Sequence, residues 1–344
     1  MNSIDVPGRA LLITPDPNKS IAAQASKTLI KNLPDPRVLK NEYFELYIGT
    51  TDKPVYAKSN GTYYYSCRDP EFAALSVFLT LSSQMDLYLG LGLRQPERPL
   101  IVVVNDPSPS VANNAYFDPE HYEIHIGIGT GVKHGGLNKN IAFDLGVTNH
   151  EFGHTIVYLQ TAGNELPGAQ GAAINEALGD VLGTLVMDYM RRIWYEKQFG
   201  QPFTAYDLKN DPRIIGKYAL SPFGIRTQKT SKKTPDDLSG EPHADGLIIG
   251  SALADLLVAM GTMQNTVIEP QIKQFTQIIL VALTLIPDFV VTFKDMLRAV
   301  IAADQLIYAG RYRLLIEQCF AAHGITFNTI NQTESPCLKR YPVV

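Results

Sequence analysis

Cysteine is scarce in this chain, with three in 344 residues, which excludes a dense disulfide framework as the source of stability. Cys67, Cys319 and Cys337 are too widely spaced for a cysteine-based zinc knuckle, and they leave room for one bridge, for instance Cys319 to Cys337. A basic surplus is missing as well: the formal net charge is -4, which argues against a nucleic-acid partner. The one basic cluster, Lys229 to Lys233, sits among Thr, Ser and Pro and reads as a solvated loop. Long apolar runs are absent too. The longest, Ile278 to Ile286, ends at Pro287. A bilayer needs about 20 residues, so a buried helix is expected there and no membrane span. Met1 to Arg9 shows no succession of charged, apolar and small residues, so no export leader is visible.

What the chain does have is enough apolar material for a core. Hydrophobic residues make up 45% and charged residues 19%, the balance of a folded globular protein rather than a disordered one. A chain of this length divides naturally into two domains. To about residue 135, Pro, Gly, Tyr and β-branched residues dominate, and 43–48, 54–57 and 100–105 read as strands. Segment 69–91 instead repeats Phe72, Leu75, Phe78, Leu79 and Leu87 at helical spacing, which predicts a helix on the sheet. Gly127 to Gly136 predicts a hairpin or loop, and it lacks the Lys-Ser/Thr ending that a phosphate loop needs. From about residue 146 the apolar period becomes helical, over 147–161, 169–195, 247–263, 270–286, 292–308 and 312–323. Between the second and third of these, Gly200 to Asp245 is polar and rich in proline, which predicts loop with short turns. The expectation is an α+β protein, mainly β over residues 1–159 and mainly α over residues 160–344.

The chemistry concentrates in His150-Glu151-Phe152-Gly153-His154. Four residues is close to one helical turn, so both imidazoles share a face and can meet one metal ion. Glu151 is rotated away by about 100°, which puts it beside the metal, where a water would be activated. Alone, the five-residue pattern recurs by chance, and a third ligand has to be found. It stands 22 residues after His154, where Glu176 and Asp180 lie one turn apart, off the apolar stripe of Ile174, Leu178, Val181, Leu182 and Leu185. Glu176 can complete the metal site while Asp180 accepts the free N–H of His150. Without the histidines, the two carboxylates would read as a solvated helix face. Two histidines and a glutamate in an otherwise apolar helix would, however, be costly to bury unliganded. Gly179 and Gly183 add small residues where the two helices can approach. A competing triplet, His121, Glu123 and His125, alternates onto one strand face, for which an exposed polar face is the simpler reading.

Asp144 to Gly183, through DLGVTNHEFGH, TAG and GAAINEALGDVLGTLV, resembles the thermolysin-type metallopeptidases and the related fungalysin group. The likeness runs from about Leu12 to Gly324 and is densest at the two motif helices. It implies a two-lobed zincin fold with the active-site cleft between a mainly β and a mainly α lobe. It further implies one catalytic zinc ion on His150, His154 and Glu176, with Glu151 as general base and Asp180 behind His150. Asn113 to Phe117 resembles the edge strand that pairs with bound peptide, so Asn114 and Ala115 are the substrate-binding candidates. Pro242 to Gly246 resembles the segment whose histidine stabilises the oxyanion, which makes His243 a catalytic candidate; otherwise it is a helix-terminal histidine. Arg226 falls near the arginine that contacts substrate. The implied activity is a zinc endopeptidase, with a peptide or protein substrate, a propeptide or inhibitor as a further partner, and secretion. Aminopeptidases add a Gly-x-Met-Glu-Asn segment to hold the free amine, and none occurs here.

Several positions depart from the family pattern. Asn164-Glu165-Leu166-Pro167 follows Thr161-Ala162-Gly163 where an oxyanion-assisting tyrosine is expected. No acid occupies the usual offset from His243, and Asp236 or Asp237 is nearest, with Asp237 taken as the partner. Met187 stands in place of a calcium-binding acid, so calcium lacks support as a second cofactor. These losses sustain an alternative, a zinc-binding, peptide-binding homologue with weak catalysis or none. Retention of Glu151 favours the enzyme.

Overall fold

Parallel strands need a crossover between them, and the first half of the chain is built around one. In the computed structural model, which describes residues 4–12, 24–66, 68–129, 140–199, 209, 214–215, 225–264 and 269–327, β1 (Ile4–Leu12) and β2 (Gln24–Leu33) form a separate antiparallel pair. β3 (Phe44–Ile48) then leads through α1 (Pro70–Gly90) into β4 (Leu100–Asp106), parallel to it. β5 (Ala115–Asp118) and β6 (Glu123–Gly127) complete a sheet of order β3-β4-β6-β5, in which β5 is the antiparallel edge strand. The helix α1 buries Phe72, Leu75, Phe78, Leu81 and Met85 against this sheet and its neighbours, as its apolar repeat dictates. The strand expected at 54–57 is reduced to single bridges, Tyr47 with Pro54 and Val38 with Tyr56. Pro54 has no N–H to offer a ladder.

The second half is helical: α2 (Leu145–Gln160), α3 (Ala169–Phe199), α4 (Pro242–Gln264), α5 (Glu269–Leu285), α6 (Phe293–Tyr308) and α7 (Arg313–Ala322). Two starts are fixed by capping. Asp144 accepts from the amides of Gly146 and Val147 at the head of α2, and Thr292 with Asp295 forms a reciprocal capping box on α6; such caps contribute about 1 kcal/mol each. Phe152, Leu178, Leu182, Leu253, Phe275 and Phe320 are among the fully buried side chains that join these helices to the sheet in one core. Where α2 crosses α3, a Cβ on Gly153 would lie 2.7 Å from the Gly179 Cα, and one on Gly179 would lie 2.8 Å from the His150 ring. Both positions must therefore lack a side chain for this crossing and for the seat of that ring.

A small sheet with mostly helical surroundings is the observed class. Within Gly200 to Asp245, expected as loop, β7 (Ile214–Ile215) pairs with β8 (Arg226–Thr227). Among the described residues, two helices could by length and composition cross a membrane, Pro70–Gly90 and Pro242–Met263, but 61% and 67% of their apolar windows are buried inside the fold, as in core helices. Among the described residues Cys319 forms no disulfide; Cys67, Cys337 and residues 130–139 of the glycine loop lie outside them, as does the side chain of Met187.

Candidate active site

The residues of His150-Glu151-Phe152-Gly153-His154 divide by helical phase. Phe152 is wholly buried in the core, whereas His150, Glu151 and His154 line a cleft of about 540 Å³ shared with β5, α3, β8 and the start of α4. Nε2 of His150 lies 3.0 Å from Nε2 of His154, with the rings nearly perpendicular. The other ring nitrogens are taken: Nδ1 of His150 is 2.7 Å from Asp180 Oδ1, and Nδ1 of His154 is 3.2 Å from Asn175 Oδ1. With each Nδ1 so engaged, the two Nε2 atoms are left side by side on the cleft, His150 Nε2 also lying 3.2 Å from Arg226 Nη2, a donor toward which its lone pair can serve only as an acceptor.

Glu176 comes from the adjacent turn of α3. Its Oε2 is 3.3 Å from His150 Nε2, and its Oε1 is 3.8 Å from His154 Nε2. The three ligand atoms lie within 4.8 Å of one another, and Glu176 Oε2 is buried without a hydrogen-bond partner. A buried acceptor with no donor costs about 1–3 kcal/mol, unless a cation sits beside it. Two nitrogens and one carboxylate oxygen at these separations suit a tetrahedral zinc ion, whose bonds are about 2.0–2.2 Å. No other cluster among the described residues has this property.

The electrostatics point the same way. Glu151, Glu176 and Asp180 face a single guanidinium, Arg226, so the site demands positive charge. Burial opposes a charged His150, but the Asp180 carboxylate outweighs it and raises the affinity of this imidazole for a proton. Burial, followed by the charge of His150, depresses His154. Burial would raise both acids, yet the His150 imidazole beside it holds Glu176 low, and the charges of His150 and Arg226 hold Asp180 low. A divalent ion between the rings would supply the charge that the proton otherwise provides.

Of the remaining sequence candidates, Asn114, Ala115, His243 and Arg226 all line the same cleft. Ala115 opens the edge strand β5. His243 is half exposed on the first turn of α4, with Nε2 3.1 Å from Glu176 Oε2. Arg226 grips Asp180 with two bonds, Nε to Oδ2 at 2.7 Å and Nη2 to Oδ1 at 2.9 Å, a pairing invisible across a gap of 46 residues.

One assignment is corrected. Asp237 is not the partner of His243: its carboxylate accepts from the amide of Lys233 at 2.7 Å. That place belongs to Glu241, whose Oε1 is 2.7 Å from His243 Nδ1 and whose two oxygens also accept from the amides of His243 and Ala244. Pro242 at the first helical position marks the residue before it as the cap, and that was the signal in the sequence. The competing triplet does not converge either. His121 pairs with Asp118 at 2.8 Å, while His125 bonds Asp106 at 2.7 Å through Nδ1 and Glu123 at 3.0 Å through Nε2.

No protein-family model matches the chain, and no curated protein sequence resembles it significantly. Solved structures do match. The fold is similar to that of a protease precursor. The precursor of protealysin, a metalloproteinase from Serratia proteamaculans, superposes with a TM-score of 0.61 at 16% sequence identity, over 82% of this chain and 87% of that one. At that identity the likeness speaks for the fold, and the site must speak for the chemistry.

Proposed function

We propose that the protein is a zinc-dependent endopeptidase of thermolysin-like type, with its cleft between a lobe of residues 1–159 and a lobe of residues 160–344. The observation that carries this reading is the convergence of two imidazole Nε2 atoms and an unpartnered, buried carboxylate oxygen beside Glu151. His150, His154 and Glu176 would hold the ion. Zinc in such a three-ligand site lowers the pKa of water to about 7 and polarises a carbonyl oxygen.

The chain's own groups do the rest. Glu151 takes a proton from the attacking water and delivers it to the departing peptide nitrogen. His243, steadied by Glu241, donates a hydrogen bond to the developing oxyanion. Asp180 fixes the tautomer of His150 and is itself fixed by Arg226. Arg226 retains a guanidinium edge on the cleft for a substrate carbonyl. The free edge of β5, with Asn114 and Ala115, can receive an extended peptide as an added strand. The structural neighbour is a precursor, which agrees with a propeptide as a further partner. The alternative, a zinc-binding protein that holds peptides without cleaving them, retains the same site. Digestion of casein by the purified chain, abolished by a chelator and restored by zinc, is the expected result; intact casein with zinc bound would favour the alternative.

A further inference from the structure

Past the metal cluster, the cleft continues along the C-terminal half of α2. Its wall there is aromatic: Tyr116 and Phe117 of β5 and Tyr158 of α2 line it together, with the rings of Phe117 and Tyr158 5.6 Å apart. Glu165, on the turn that follows α2, also lines the cleft and is exposed. The turn that carries Glu165 is held from both sides. Thr161 Oγ1 donates to the carbonyl of Asn164 at 2.6 Å, Asn164 Nδ2 donates back to the Thr161 carbonyl at 3.0 Å, and Leu166 is buried. Ala162 and Gly163 take the left-handed conformation that such a tight turn requires. Glu165 forms no ion pair among the described residues. Every other acid on the cleft, among the described residues, has a role in the metal cluster: Glu176 among the ligands, Glu151 beside them. Among the described residues the cleft thus offers an apolar, π-rich wall and, on the turn that follows α2, one carboxylate without an ion-pair partner.

A lysine or arginine side chain matches that sequence of surfaces, with its methylene stem on the rings and its charged head beyond them. Resting on the peptidase reading, we infer that Glu165 gives this protein a preference for substrates carrying a basic side chain at the position, on one side of the scissile bond, that faces the Tyr158 end of the cleft. The preference is modest because the pair is exposed and screened by salt.

The test uses zinc-loaded protein and quenched fluorogenic peptides in which lysine, norleucine or glutamate is placed in turn at each of the positions flanking the scissile bond. The expected result is a kcat/KM ratio of lysine over norleucine of about five at one position, falling toward one in Glu165→Gln and at high salt, with glutamate favoured in Glu165→Lys. A ratio near one in the native protein, or one that survives Glu165→Gln, overturns the inference. Should no peptide be cleaved, the peptidase reading fails by itself. The inference is then decided by fluorescence anisotropy: labelled lysine and norleucine peptides must bind the native chain with unequal affinity and Glu165→Gln with equal affinity, and equal binding to both proteins overturns it.

Discussion

Two His/Glu triplets of this chain look alike on paper and differ in space. In one, His150, His154 and Glu176, each imidazole spends one nitrogen on a fixed acceptor and turns the other toward a shared point. In the other, His125 spends both nitrogens, on Asp106 and Glu123, and lies flat on Tyr116 with ring centroids 4.9 Å apart, while His121 pairs away with Asp118. The first leaves an Nε2 on each ring for a cation. The second leaves none, because the two acids already satisfy the ring. Composition does not make a metal site; an unspent nitrogen does.

The largest effect that would break this contrast is on metal content. Glu176→Ala should lose zinc, by more than the roughly 100-fold in affinity that an outer partner costs, while His125→Ala keeps one ion per chain by elemental analysis. Loss of zinc from His125→Ala instead would reverse the assignment. Next comes Glu151→Gln, which should keep its zinc and lose about a hundredfold or more in turnover; undiminished peptide hydrolysis would remove Glu151 from the mechanism. Smaller again is Glu241→Gln. Freed of its carboxylate, His243 should work less well, with kcat reduced roughly tenfold and zinc content unchanged, whereas Asp237→Asn leaves kcat as it was.

The smallest effect concerns a third histidine environment. His323, almost fully buried, places Nδ1 2.9 Å from the Lys232 carbonyl and Nε2 3.1 Å from Asp255. Burial disfavours its charge, but the bond to Asp255 outweighs this and raises its pKa above 6.5. The folded state therefore holds this proton more tightly than the unfolded chain. The stabilisation should be complete below pH 6.5 and fade as pH rises through the folded value. Denaturant midpoints of the native protein and Asp255→Asn, measured from pH 5 to 9, should converge on the alkaline side; a constant gap would contradict it.

Much of the architecture was legible because helical periodicity is local. Each of the six segments expected from residue 146 onward is a helix within a few residues of its predicted ends, apart from the further extension of Leu247 back to Pro242 and of Tyr195 to Phe199. The strand at 54–57 failed because its partner and its proline decide it, not its propensity. The phase of Glu151 against Phe152 could be counted along one helix. The grip of Arg226 on Asp180 and the acceptor that Asn175 offers to His154 could not, since each joins residues far apart in sequence.

The sequence alone determined which side chains share a helical face, since a fixed rise and turn per residue leaves that little freedom. It thereby named the residues able to bind a metal. The tertiary structure decided which of them keep a nitrogen to give. That depends on where neighbouring elements place their carboxylates and amides, and on two glycines, Gly153 and Gly179, that let α2 and α3 come close enough for three ligand atoms to meet.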